Sequence, residues 1–78
     1  MIRVKLFGAF RSQWSAGVLE LPFAEPCTLS ALRAALAERL DPELLRVSAF
    51  GTDSEILGEN ARVHPGQTVA LLPPVCGG

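Results

Sequence analysis

Apolar residues in this chain recur with two different periods, and the order in which those periods follow one another limits the folds open to it. Ile2, Val4 and Leu6 alternate with Arg3 and Lys5, the period of a strand with one buried face. After a polar stretch from Ser12 to Gly17, interrupted by Trp14, the residues Leu19, Leu21 and Phe23 alternate again around Glu20. These two runs predict a hairpin. Pro22 removes a backbone donor within the second run, which places that strand at an edge. The period then changes. Leu29, Leu32, Leu36 and Leu40 are spaced for one stripe of a helix, and the Thr28 hydroxyl is positioned to cap its first turn. Asp41-Pro42 stops this helix, because a residue before proline is pushed out of the helical region. Asp41 as cap and Pro42 at the first helical position then start a short second turn through Glu43, Leu44 and Leu45.

The second half returns to extended signals. Val47 to Phe50 reads as a short strand, Gly51-Thr52-Asp53-Ser54 as a turn, and Glu55 to Leu57 as another short apolar piece. His64-Pro65-Gly66-Gln67 has proline and glycine at the two central positions of a type II turn. Val69-Ala70-Leu71-Leu72 is continuously apolar, as expected of a strand covered on both faces or central in a sheet, and Pro73-Pro74 ends its ladder. The resulting class is α+β, a mixed sheet packed on one main helix. Residues 1–72 form the folded domain and residues 73–78 an extended tail.

Composition narrows the function. Apolar residues make up 49% of the 78 positions, enough for a core. Seven basic and eight acidic side chains give a net charge of −1 with no basic run, which argues against a nucleic-acid binder. No apolar run approaches a membrane span, so the expectation is a cytoplasmic protein without membrane contact. Cys27 and Cys76 suit a reducing compartment, and with His64 as the one histidine no zinc site can be assembled from Cys and His. His64 reads as a turn residue.

The run Pro65 to Gly78, PGQTVALLPPVCGG, resembles the C-terminal signature of the MoaD-like small subunits of molybdopterin synthase, which are ubiquitin-like sulfur carriers. Ile2 to Gly8 followed by Arg11, and the helix start at Thr28-Leu29, resemble that family too. The resemblance implies the β-grasp, or ubiquitin-like, connectivity. Its most specific element is Pro-Pro-Val-x-Gly-Gly. Family members often carry two aromatic residues before Pro-Pro, where this chain has Leu71 and Leu72, and a small residue before Gly-Gly, where it has Cys76.

The chemistry of such a tail follows from its residues. A carboxylate does not react with sulfide until it is activated, and activation by ATP requires it to reach a nucleotide inside another enzyme. Gly77 and Gly78 lack Cβ atoms and can thread a narrow channel. Pro73 and Pro74 favour an extended conformation that keeps the arm projecting and lowers the entropy lost on insertion. The resemblance implies that an E1-like adenylating enzyme activates the Gly78 carboxylate and that a sulfur donor protein converts it to a thiocarboxylate. It further implies that Pro73, Pro74, Val75, Cys76 and Gly77 lie against partners when the arm inserts into the large subunit of molybdopterin synthase. The carrier itself would hold no cofactor, ATP being used by the activating enzyme.

Other positions carry two readings each. Cys76 is a small residue of the tail or the site of a transient disulfide, and Cys27 reads as a buried small apolar residue. Phe7, on the face of the first strand opposite Ile2, Val4 and Leu6, is a candidate partner anchor with Trp14; equally, either ring closes a secondary cluster under a loop. Asp53, Glu55 and Glu59 read as a solvated edge. Alternative functions are sulfur carriage toward the thiamine thiazole or cysteine, a ubiquitin-like protein modifier linked through Gly78, and a binding domain without tail chemistry.

Overall fold

A computed structural model of the chain describes residues 1–74. Its elements are β1 (Ile2–Leu6), α1 (Phe10–Gln13), β2 (Val18–Leu21), β3 (Cys27–Thr28), α2 (Leu29–Leu36), α3 (Pro42–Arg46), β4 (Ala49–Gly51), β5 (Arg62–Val63) and β6 (Thr68–Leu72). Four strands form one sheet in the order β2-β1-β6-β4. β1 runs antiparallel to β2 and parallel to β6, and β6 runs antiparallel to β4. This mixed sheet around a main helix is the β-grasp fold. β3 and β5 pair separately, Cys27 with Val63 and Thr28 with Arg62.

The strand alternation dictates which side of the sheet is covered. Ile2, Val4 and Leu6 are buried, as are Leu19 and Leu21 on β2 and Val69 and Leu71 on β6, whereas Arg3 and Lys5 are exposed. Leu29, Leu32 and Leu36 of α2 are completely buried in the same core, each worth roughly 1.5–3 kcal/mol of transfer free energy. The Thr28 hydroxyl accepts from Ala31 N at 3.1 Å and the Asp41 carboxylate accepts from Glu43 N at 3.1 Å, so both helix starts are capped as their sequences dictate. In the His64–Gln67 turn Gly66 has φ +92°, the conformation that a type II turn demands, and Gln67 N donates to His64 O at 3.0 Å.

Four features depart from the sequence expectations. The polar connection after β1 contains the short helix α1, whose Phe10 is completely buried and supplies core volume that alternation alone does not locate. α2 ends at Leu36 rather than at Asp41, because Glu38 N and Arg39 N turn to carbonyls three residues back, Ala35 O and Leu36 O; Leu40 nevertheless stays buried on the stripe. The strand expected from Val47 begins at Ala49, since Val47 and Ser48 still donate to carbonyls of α3, and the piece around Glu55–Leu57 contributes a single bridge, Gly51 with Ile56. The β3–β5 ladder was not expected at all. β2 is an edge strand and stops at Leu21, immediately before Pro22.

Truncating Leu32 to Ala is expected to lower the unfolding free energy by about 2–5 kcal/mol, and Thr28→Ala by about 1 kcal/mol, both measured by urea unfolding. A Leu32→Ala loss no larger than that of Thr28→Ala would contradict the placement of the α2 stripe at the centre of the core.

Candidate functional site

The parallel pairing of β1 with β6 brings the end of the last strand to the end of the first. Leu6 is opposite Leu71, so Phe7, the first residue beyond β1, falls beside Leu72, the last residue of β6. Phe7 lies on the face opposite α2 and is 41% exposed, as its position in the alternation required. The chain then turns at Gly8, whose φ is +58°, with Arg11 N donating to Gly8 O at 3.1 Å as α1 begins.

Pro73 is seated on that turn. An ideal Cβ built on Gly8 would stand 2.8 Å from Pro73 Cγ, so the proline ring rests where any other residue would project a side chain. Pro73 is half-buried and Pro74 exposed. On the other flank, Leu72 lies against Gly51, where an added Cβ would meet Leu72 Cδ1 at 3.3 Å and Ile56 Cδ1 at 3.4 Å. Ile56 is 62% exposed. Phe7, with Arg3 and Lys5 on the open face of β1 and Asp53 and Ser54 across the sheet, borders a shallow concavity, and Ile56 adds exposed apolar surface against Gly51.

Of the residues singled out from sequence, Phe7, Pro73 and Pro74 come together here. Val75, Cys76, Gly77 and Gly78 lie outside the described residues. Trp14 does not join the site. Its ring is packed against the core, its Nε1 donates to Val18 O at 3.1 Å, and the Arg39 guanidinium lies 5.5 Å from its ring centroid. Trp14 therefore closes a cluster under the β1–β2 connection. Glu59 is ion-paired with Arg33 at 3.3 Å, and Arg33 also donates to Ser48 O at 2.8 Å and lies 5.0 Å from the Phe50 ring centroid. Asp53 and Glu55 are exposed. Gly8, Gly51 and Ile56 carry no chemical signature in the sequence; only the strand register reveals their place beside the tail.

Among the described residues no cluster of His, Cys, Asp or Glu is arranged to hold a metal, and no helix is long and apolar enough to cross a membrane. Cys27 is buried, and loss of hydration around its thiolate pushes the thiol above its usual range.

The model of the ThiS family matches residues 4–78, nearly the whole chain. The chain belongs to the ThiS family. It is accordingly a ubiquitin-like sulfur carrier with a β-grasp fold. No curated protein matches it. Carriers of the ThiS family work with E1-like enzymes and sulfurtransferases. The β-grasp domain supplies a rigid body and an exit point for the tail.

The Cys27 thiol gives a pH prediction. Because the folded state holds this proton more tightly than the unfolded chain, its contribution to stability is full below the unfolded thiol pKa, about 8.5, and is lost as pH rises through the higher folded value. Urea unfolding of a Cys76→Ser chain should show this alkaline decline, and Cys27→Ala in the same background should reduce it. An identical pH dependence in the two would contradict the assignment.

Proposed function

We propose that the Gly78 carboxylate is the sulfur-carrying group and that this chain is the small subunit of a molybdopterin synthase. A carboxylate oxygen of Gly78 attacks the α-phosphorus of ATP in an E1-like enzyme and pyrophosphate leaves, giving an acyl-adenylate. Sulfur from a donor protein then attacks the acyl carbon and AMP leaves. Where that sulfur is the outer atom of a donor persulfide the product is an acyl disulfide, and a thiol reductant attacks the donor's cysteine sulfur, breaks the S–S bond and leaves the thiocarboxylate on Gly78. Its sulfur, nucleophilic at neutral pH, attacks the pterin precursor held by the large subunit; hydrolysis afterwards returns the Gly78 carboxylate. The arm 73–78 delivers the group, and Pro73, Pro74, Val75, Cys76 and Gly77 line the partner's channel. Acid-base and nucleotide-binding groups belong to the partners, and no cofactor resides in the carrier.

The observation that carries this reading is the placement of Pro-Pro at the exit of β6, with Pro73 against Gly8 of the turn that follows β1 and the partly exposed Phe7 one residue before that glycine. The sequence Pro-Pro-Val-x-Gly-Gly favours the molybdopterin branch. The match to the ThiS family fits either branch, and the Leu71-Leu72 pair in place of aromatic residues weakens the molybdopterin one; the second reading is sulfur carriage toward the thiamine thiazole, with the same activation and a different acceptor.

Intact mass separates the two. The chain is first loaded to the thiocarboxylate with an E1-like enzyme, ATP and a sulfide source, then offered separately to the large subunit of molybdopterin synthase with its pterin substrate and to a thiazole-forming synthase with its own. Loss of sulfur only in the first mixture is the expected result, and loss only in the second would replace the molybdopterin reading with the thiazole one. Phe7→Ala should weaken binding to the large subunit more than about fivefold while leaving the thermal midpoint nearly unchanged; unchanged affinity would remove Phe7 from the interface.

A further inference from the structure

We propose that Gly8 is a positioning residue for sulfur loading, because it is the seat that fixes the direction in which the tail leaves the sheet at Pro73. The inference rests on the carrier reading above and adds a residue of the folded domain to it.

Two independent features of Gly8 converge. Its φ of +58° lies in the left-handed region, which glycine enters freely and other residues enter at a cost. Its missing side chain is also occupied space: the Pro73 ring fills it, with Cγ 2.8 Å, Cδ 3.8 Å and Cβ 4.0 Å from where a Cβ would stand. The Cδ and Cβ distances are ordinary contacts, so the conflict is with the ring Cγ alone, and a ring closed onto its own backbone nitrogen can answer it only by a change of pucker or by moving with that backbone. The backbone around Gly8 is itself held, since Phe10 N donates to Phe7 O at 3.2 Å and Arg11 N to Gly8 O at 3.1 Å. A side chain at position 8 therefore displaces Pro73 more readily than the turn.

The consequence is mechanical. β6 ends at Leu72, so Pro73 is the first residue not held by the ladder. Seating it on the β1–α1 turn extends the rigid body by one residue and sets the path through Pro74. An activating enzyme that grips the sheet then meets the arm already aimed, and small errors of placement at a reacting carbon are costly in rate. Lifting Pro73 off its seat leaves the core intact and misdirects the arm.

Backbone strain and tail displacement can be told apart, because Pro73→Ala retains the Cβ, which Gly8→Ala tolerates, and removes the Cγ, which it does not. Four chains are compared: wild type, Gly8→Ala, Pro73→Ala and the double variant. Each is measured for kcat/KM of thiocarboxylation by an E1-like enzyme, for thermal midpoint, and by NMR for nuclear Overhauser contacts between residue 8 and the side chain at position 73. Gly8→Ala alone is expected to lose the contacts to the Pro73 ring and about tenfold in kcat/KM. In the Pro73→Ala background the same substitution is expected to change kcat/KM by less than about twofold. The thermal midpoint should fall by roughly 4–8 °C on Gly8→Ala in either background, since the left-handed backbone is strained in both.

Equal losses of kcat/KM in the two backgrounds, or wild-type loading by Gly8→Ala with the ring contacts gone, would overturn the proposal. Failure of the wild-type chain to load at all, with the Gly8–Pro73 contacts present, would overturn the carrier reading and the proposal with it. That outcome is distinct from wild-type loading without positional coupling.

Discussion

The parallel ladder between β1 and β6 is the constraint on which the rest of the molecule depends. It joins the first strand to the last, so that everything between them, including α2 and the small β3–β5 ladder, is closed inside one loop of chain. Parallel neighbours cannot be joined by a tight turn, and the long crossover must carry the helix that covers the sheet. The same pairing buries Val4, Leu6, Val69 and Leu71 together, leaving Arg3 and Lys5 on the open side. It also aligns the ends of the two strands. Phe7-Gly8, which follow β1, and Leu72-Pro73, at the end of β6, therefore meet at one rim of the sheet by register rather than by any sequence proximity.

Division of labour follows from that arrangement. Polar groups near the core are committed to structure: Ser48 Oγ donates to Leu44 O at 2.6 Å, Arg33 to Ser48 O, and Trp14 to Val18 O. The uncovered face carries the Phe7 ring together with the charges of Arg3, Lys5 and Asp53, and in the proposed carrier role the tail offers the terminal group. A carrier that visits several enzymes benefits from holding none of their acid-base groups, because each partner then supplies the charge stabilisation its own step requires.

What the sequence revealed and what it concealed divide along the range of the interactions involved. Thr28 and Asp41 announce their helices because capping is decided within three residues. The central position of β6 is readable from its unbroken apolar run, and the edge position of β2 from Pro22. α1 was concealed because it is four residues long, has no side-chain cap, and is marked only by the burial of Phe10 in the core. The β3–β5 ladder joins two dipeptides about thirty-five residues apart, too short for any periodicity to register. At the site, the tail was legible as chemistry, since Pro-Pro and Gly-Gly are unusual in combination. Its seat was not. Gly8 looks like any turn glycine until the register of β1 against β6 puts Pro73 over it. Trp14, equally suited by composition to the surface or to a cluster, is decided only by the Arg39 and Val18 groups that meet it.

The central claim is that this fold presents Gly78 to an enzyme that activates carboxylates with ATP. Its most direct test is the exchange of labelled pyrophosphate into ATP catalysed by an E1-like enzyme in the presence of this chain, before any sulfur source is added. Exchange that requires the chain and disappears when Gly78 is deleted is the predicted result. Exchange that is absent with the intact chain, while another carrier supports it with the same enzyme, or that survives deletion of Gly78, would contradict the account.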